Sequence, residues 1–491
     1  VQISVSSGDL IAVLPELILT GCAVIALCGA LLSARGQRLL PSLSLVGLGV
    51  SFAANMSLAG GPMAAFNGTI VIDDFGHVAK SAALLAAAIA VAISSDYLTA
   101  RGIHEGEFYF FVLMSTVGMM LLVSSTNLMT IFLSLELMTI CLYVLAAFAR
   151  GEGESGEAGL KYLLLGAFAT GFLLYGMALV YASIGTTRLQ ALYEAILRGQ
   201  QRHNMLLIAG LGLMMVGFAF KLALVPFHMW APDVYEGAPT SATAFMATGV
   251  KAAAFAALIR LVPYQLVLPD QAWRTLLWIL CAATMTGGNL IALAQSNVKR
   301  MLAYSSIAHA GYMLIGVLAN GQEGGAAVLF YLFAYTLMTG GAFGSVAATA
   351  RGGSAAPTTE GKELLSFDDY RGLGFQRPWL SAAITIFMLS LAGFPPTAGF
   401  FAKFYVFGSA VKHGFVGLAV VAVLNSLISV YYYLRLVVVM YMEEPSEKRE
   451  IPPLGAGIGF ALAFAAAGII ILGLFPGWLA DITRAAGLPA R

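Results

Sequence analysis

Five ionisable side chains stand in stretches otherwise apolar enough to cross a bilayer: Glu136, Lys161, Lys221, Lys251 and Lys403. A charge at the bilayer centre costs at least about 2.5–3.5 kcal/mol on insertion scales, so such residues persist where they have a partner or a task. A single lysine near a helix end can snorkel to the interface. A set distributed over several separate spans reads as a route for protons or ions.

Lys221 lies in Gly217-Phe-Ala-Phe-Lys-Leu-Ala-Leu-Val-Pro-Phe-His228, five positions before Pro226. Proline removes a backbone donor and clashes with the carbonyl four residues back, which predicts a break or kink beside the lysine. The combination recurs in Gly393-Phe-Pro-Pro-Thr-Ala-Gly-Phe-Phe-Ala-Lys403, where the break precedes the lysine. Interrupted helices at corresponding points of two halves point to a transport site. Glu136 sits near the centre of 127–149, with Lys161 and Lys221 as the two candidate partners. Lys251 is flanked by small residues that let neighbouring helices approach closely. A buried lysine exchanges protons more readily than a solvated one. His309 and His228 lie in or beside these helices and could act as relays, or be held simply by hydrogen bonds. Lys80, near His77, reads as a snorkelling residue, Lys299-Arg300 as an ordinary cytoplasmic flank, and Tyr431-Tyr432-Tyr433 as packing or belt residues.

The elements that position these groups are membrane helices. Of 491 residues, 59% are hydrophobic and 10% charged, with net charge +1 and mean hydropathy +0.85. Soluble domains carry about 25% charged residues, so the composition indicates an all-α polytopic membrane protein. The charge balance and the lack of a basic tract argue against nucleic acid as a partner. Roughly fourteen spans are expected at about 20 residues each. They fall near 10–32, 39–59, 75–97, 107–124, 127–149, 157–182, 204–228, 239–262, 272–293, 299–319, 324–349, 378–411, 415–442 and 455–476. The first of these, with no basic residues before it, reads as a retained span rather than a cleaved signal. An Asn67-Gly68 turn signal predicts a small hairpin over 66–71. Leu189, Leu192 and Ile196 share one face of a short segment, 188–198, that suits an interfacial helix. The longest polar linker is 351–371.

Loops after odd-numbered spans carry about twelve Lys/Arg (35, 38, 101, 150, 299, 300, 351, 362, 371, 377, 448, 449), against about six on the other side (188, 198, 202, 412, 484, 491). The positive-inside rule then places both termini outside. Cys22, Cys28, Cys141 and Cys281 form no CxxC pair and read as small buried hydrophobes. No P-loop or dinucleotide fingerprint is present, and no metal or redox cofactor is expected in the chain.

Pro226-Phe-His-Met-Trp-Ala-Pro-Asp-Val-Tyr-Glu-Gly-Ala-Pro239 resembles the signature of the antiporter-like subunits of respiratory complex I, in the Val-Tyr-Glu-Gly-Ala-Pro form of subunit N. Val298-Lys-Arg-Met-Leu-Ala-Tyr-Ser-Ser-Ile-Ala-His-Ala-Gly-Tyr312 and Gly393–Phe404 extend the resemblance, which covers essentially the whole chain. Lys403 stands where subunit M has a glutamate, and the chain stops soon after the fourteenth span without the long lateral helix of subunit L. The resemblance implies two inverted five-helix repeats, spans 4–8 and 9–13, with discontinuous helices 7 and 12. The corresponding segments are 1–105, 106–265, 266–442 and 443–491: an N-terminal three-helix part, the two repeats, and a C-terminal helix and tail.

By position the resemblance implies that Glu136 pairs with Lys221, that Lys251 is the central lysine, that Lys403 lies toward the exit half, that Lys161 modulates, and that His309 falls on the tenth-span histidine. Asn425 and Ser426 stand where duplication would put a second central lysine. The resemblance further implies a proton-translocating subunit of NADH:quinone oxidoreductase in a bacterial inner membrane. Subunit M would be on one side and K and J on the other, with FMN, iron–sulfur clusters, NADH and quinone bound by other subunits. A subunit of a multi-subunit cation/proton antiporter is the main alternative. A stand-alone secondary transporter and a scaffold are further ones, disfavoured because the lysines are strung across the spans and unused buried charges are costly.

Overall fold

A chain in hydrocarbon must satisfy every backbone polar group internally, which limits it to helices or closed barrels. The computed structural model describes residues 6–32, 39–103, 106–197, 204–266, 271–350, 363–444 and 453–487, and they are overwhelmingly helical. Positions 351–362 of the expected linker lie outside the described residues, as do the loop cations at 35, 38, 198, 202, 351, 362, 448, 449 and 491.

In chain order the elements are α1 (Ser7–Ala12), α2 (Leu14–Leu32), α3 (Leu40–Ser57), a hairpin of β1 (Met63–Ala65) and β2 (Ile70–Ile72), α4 (Asp74–Arg101), α5 (Gly106–Ser124), α6 (Leu128–Ala146) and α7 (Gly153–Ile184). Then come α8 (Leu189–Leu197), α9 (Met205–Lys221), α10 (Trp230–Gly237), α11 (Thr240–Phe245), a π-helical turn (Met246–Val250) and α12 (Lys251–Leu266). The remainder is α13 (Gln271–Leu293), α14 (Val298–Ala319), α15 (Gly321–Ala347), α16 (Leu373–Gln376), α17 (Pro378–Ala392), α18 (Ala398–Lys412), α19 (Val416–Met442), α20 (Ala456–Leu474) and α21 (Pro476–Ala486).

Among the described residues, twelve helices are long and apolar enough to cross a membrane. The two expected spans at 204–228 and 378–411 are broken instead, as α9 with α10 and α17 with α18. The hairpin forms in antiparallel register, Met63 opposite Ile72, with Asn67 in the left-handed region at φ 57°. The short α8 also forms, but Leu189, Leu192 and Ile196 are buried within the protein core and not on a lipid-facing side.

The outer helices show lipid-suited faces. On α7, Leu160, Leu164, Phe168 and Tyr175 are all more than half exposed and share one side of the helix. The centre is the opposite. The stretch Thr240–Leu261 is wholly buried, and α14 and α15 are mostly so. Helices hydrophobic all round and enclosed by other helices form an interior, and Lys251 and His309 lie on them.

Each break leaves helix-end carbonyls without intrahelical partners. At the first, α9 stops at Lys221, Ala223 takes a positive φ of 56°, and the Trp230 indole donates to the Phe220 carbonyl at 2.9 Å. At the second, Gly393 caps α17 at φ 92°, and Gly399 at the start of α18 packs directly on the Ser390 carbonyl. Replacing Gly399 by Ala would press a methyl into that carbonyl. We expect Gly399→Ala to destabilise the chain by about 1–3 kcal/mol, read as a lower thermal midpoint and less protein in the membrane; an unchanged midpoint would contradict this packing.

Candidate functional site

Lys221, Lys251 and Lys403 are each 4% exposed or less, and none forms a salt bridge among the described residues. A buried ammonium must still place its N–H donors. Lys221, at the last turn of α9, donates to Thr139 Oγ1 on α6 at 2.7 Å and lies 5.4 Å from the Tyr162 ring centre. A cation at the C-terminus of a half-helix is favoured by the helix dipole.

Lys251 follows the π-helical turn and donates to Ser306 Oγ at 2.6 Å and to the Ser306 carbonyl, with the Tyr335 ring at 5.7 Å. π-turns of this kind displace side chains from the regular helical face. Lys403 donates to the Leu391 and Ala392 carbonyls at 3.0 and 2.9 Å and to Ser426 Oγ at 2.9 Å, with the Tyr312 ring at 5.2 Å. The break in α17 thus supplies the acceptors for the lysine, as helix ends do for cations. All three ammonium groups share one construction: a hydroxyl acceptor and a tyrosine face.

His309 lies between two of them. Its Nδ1 meets the Tyr331 hydroxyl at 2.7 Å and its Nε2 the Tyr433 hydroxyl at 3.1 Å, while Tyr433 also bonds Ser305. The imidazole is within electrostatic reach of both Lys403 and Lys251. Its ring packs on Tyr335 at 5.4 Å and on Tyr312 at 5.7 Å, the same rings that face Lys251 and Lys403. The order in space is therefore Lys251, Tyr335, His309, Tyr312, Lys403.

The acidic end differs from the expectation. Glu136 accepts from Thr170 at 2.9 Å and is not ion-paired to Lys221, although the two interact electrostatically. It is half-buried and lines a cavity of about 710 Å³ between α6 and α7, together with Tyr143, Arg150 and exposed Ile140, Leu160 and Leu163. Lys161 is not at depth, nor a partner of Glu136. Only two turns into α7, it pairs with Glu157 at 2.8 Å and Asp233 at 2.9 Å. His228 lies in the first break, half-buried, with no hydrogen bond to Lys221 among the described residues.

The readings of Lys80, Lys299 and Cys28 need correction, and that of the three tyrosines gains polar contacts. Lys80 does not snorkel; it is buried and contacts Glu16 at 2.7 Å. Lys299 is no ordinary flank: it is buried, donates to the Ala238 carbonyl at 2.7 Å and lies 3.7 Å from Glu363. Of the three tyrosines, Tyr431 is exposed, whereas Tyr433 holds His309 and Tyr432 donates to Asn289 at 2.8 Å. Cys28 is exposed, while Cys141 and Cys281 are buried. Among the described residues there is no group of three or more His, Cys, Asp or Glu able to hold a metal.

The family profile described as NADH:quinone oxidoreductase/Mrp antiporter, TM, matches residues 125–429, which contain Lys161, Lys221, Lys251 and Lys403. A protein of Trichlorobacter lovleyi named NADH-quinone oxidoreductase subunit N is 47% identical over 483 residues, 97% of each chain. The chain belongs to the subunit N family of NADH-quinone oxidoreductases. A chain of respiratory complex I from Thermus thermophilus with bound aureothin is 37% identical, with TM-score 0.80, covering 96% of this chain and 100% of that one. An Mrp complex chain from Dietzia has the same fold, TM-score 0.79, at 22% identity, with 96% of each chain covered.

Several residues around the subunit N lysines escaped the sequence reading. Ser305 and Tyr312 flank His309, which the sequence did single out, at i−4 and i+3 on α14, and Tyr331 and Tyr335 lie at i and i+4 on α15, a polar stripe that helical spacing alone could have exposed. Glu363 had no such signal. Its carboxylate accepts from Arg101 at 3.0 Å, from Thr240 at 2.7 Å and from the Tyr97 hydroxyl. Burial alone pushes Glu363 up, but the neighbouring Lys299 and Arg101 cations prevail and hold its carboxyl below the usual range. A carboxyl depressed in the folded state stabilises above its unfolded pKa, and that stability is lost as pH falls through the folded value. We expect Glu363→Gln to lower stability by about 3–5 kcal/mol at neutral pH, with the gap to wild type closing below the ordinary carboxylate range. Parallel thermal melts across pH check both the size and the sign.

Proposed function

We propose that this subunit N family member moves protons across a bacterial inner membrane along Lys221, Lys251, His309 and Lys403, driven by quinone reduction elsewhere in NADH:quinone oxidoreductase. The observation that carries this reading is the arrangement of three buried ammonium groups, each held by hydroxyls or carbonyls instead of carboxylates. A lysine locked to a carboxylate is held in its charged form, whereas one on neutral acceptors can release its proton when the surrounding charge changes. His309, between the Lys251 and Lys403 tyrosines, provides an intermediate acceptor.

Glu136 acts on Lys221 through space, and Thr170 orients its carboxylate. A change in the charge it faces across the cavity would alter the hold on the lysine's proton. Lys161, at the rim with Glu157 and Asp233, tunes that field without carrying the proton. His228 plays at most a gating part in the first break.

The two-repeat reading, over 106–265 and 266–442, is supported by a recurring offset of 170 residues. Asn127 and Asn297 cap α6 and α14; Gly118 and Gly288 mark close helix approaches before them; Pro226 and Pro396 lie in the two breaks. The same offset places Ser306 opposite Glu136 and His309 opposite Thr139. The second half thus has a neutral hydroxyl where the first has its carboxylate, and an imidazole where the first has the hydroxyl that holds Lys221. This asymmetry favours one direction of charge coupling over an exchange between equal halves.

Subunits M, K and J are the expected neighbours, both termini are assigned to the periplasm, and flavin, clusters, NADH and quinone are assigned to other subunits. In the assembled complex, Lys221→Ala should lower proton translocation roughly tenfold or more, because positioned proton-transfer groups contribute at least that much. Lys161→Met should have a smaller effect. Reconstitution in vesicles with a pH-sensitive dye tests this; pumping at the wild-type level in Lys221→Ala would refute the route.

A further inference from the structure

Three buried ion clusters lie along α4, and they are not built alike. At its N-terminal end, Asp73 receives both guanidinium nitrogens of Arg260 at 2.6 and 2.9 Å and the Gly76 amide at 2.7 Å, and Arg260 Nε donates to the Val123 carbonyl at 2.5 Å. At its C-terminal end, Glu363 is held by Tyr97, Arg101 and Thr240. Both clusters satisfy their carboxylates with several donors, as structural ties do. They pin α4 at both ends to the helix carrying Lys251, since Thr240 opens α11 and Arg260 belongs to α12.

Between them lies a cluster of a different kind. Glu16 of α2 meets the Lys80 ammonium at 2.7 Å, both side chains being 4% exposed or less. Beyond that one contact, neither Glu16 carboxylate oxygen receives an N–H or O–H among the described residues. One turn away, His77 places Nδ1 on Asn55 Oδ1 of α3 at 3.0 Å; its ring also interacts with the Leu58 backbone, and among the described residues its Nε2 has no hydrogen-bond partner within bonding geometry. Asn55 also donates to the His77 carbonyl and to Ser81. The other charges facing His77 are Asp73 and Asp74.

A buried ion pair is seldom retained for stability, because apolar replacements of the same size are commonly neutral or better. One left with unfilled hydrogen-bonding capacity is a poorer tie still, yet it has places for another proton to bind. We propose that Glu16, Lys80 and His77 form an additional proton-binding station in the N-terminal three-helix segment, linked through α4 to the Lys251 helix. Uptake of one proton forms an O–H bond on Glu16 and leaves a carboxylic acid beside the Lys80 ammonium; release breaks that O–H bond and restores the ion pair. The pair can therefore store one proton while Lys251 changes state. His77, one turn from Lys80 and within its electrostatic reach, is the neighbouring imidazole.

This inference rests on the proton-moving role proposed above, and its test separates the two. The intact complex carrying Glu16→Gln with Lys80→Met has neutral side chains of similar size at both positions. It should assemble and oxidise NADH, but lose protons moved per electron pair and shift the pH profile of pumping. Wild-type stoichiometry and pH profile in the double variant, alongside a defective Lys221→Ala complex, would overturn the station and leave the main route standing. Undiminished pumping in Lys221→Ala would instead refute the route itself. Should the neutral pair fail to assemble, Glu16→Asp keeps the carboxylate. The carboxyl infrared band that changes on turnover should then move relative to wild type, and a band that stays in place overturns the proposal.

Discussion

The structure depends on how an ammonium group is kept inside a bilayer-spanning bundle. Hydrocarbon offers a lysine nothing, and a carboxylate partner would fix its proton. The chain uses a third solution, in which helices are interrupted or widened so that backbone carbonyls and hydroxyls face the amine. α9 ends at Lys221, α17 ends where Lys403 can reach its last carbonyls, and a π-turn precedes Lys251. Non-helical backbone at membrane depth persists only where protein encloses it. That explains why all three ammonium groups are enclosed although only Lys251 lies on one of the most deeply buried helices, with apolar residues turned outward on the periphery.

Enclosure also makes the site stiff. Tyrosine rings beside each ammonium, packed in turn against His309 or Trp230, leave few alternative arrangements. α4 is clamped to the Lys251 helix by Asp73–Arg260 at one end and the Glu363 cluster at the other. A change of charge is then felt along the row by electrostatics in a low-dielectric interior, where unit charges act over longer distances than in water. Large helix motions are not required for that coupling.

Much of this was legible in the chain. Apolar runs gave the helices, Pro226 and Pro395-Pro396 marked both breaks, and three of the five charged positions, Lys221, Lys251 and Lys403, are buried within the protein as their apolar surroundings suggested. The errors share a cause. Lys161 and Lys80 were placed by depth along a helix, but burial depends on which face a residue occupies and what packs there. Lys80 found Glu16, a residue 64 positions earlier, and Lys161 found Asp233, 72 positions later. Glu363 follows a polar stretch with no periodicity, so nothing local marks its insertion among Tyr97, Arg101, Thr240 and Lys299. The absence of a direct Glu136–Lys221 pair is likewise a matter of three-dimensional spacing, which resemblance alone could not supply.

The central claim is that the buried lysines change protonation during turnover, and Lys251 is its most direct test because it lies wholly within the protein and has only neutral acceptors. Proton translocation and NADH oxidation should be measured together in vesicles holding the intact complex with Lys251→Met. The account predicts an assembled complex whose proton translocation is lost or severely reduced for each electron pair passed to quinone. A Lys251→Met complex that pumps at the wild-type ratio would contradict it.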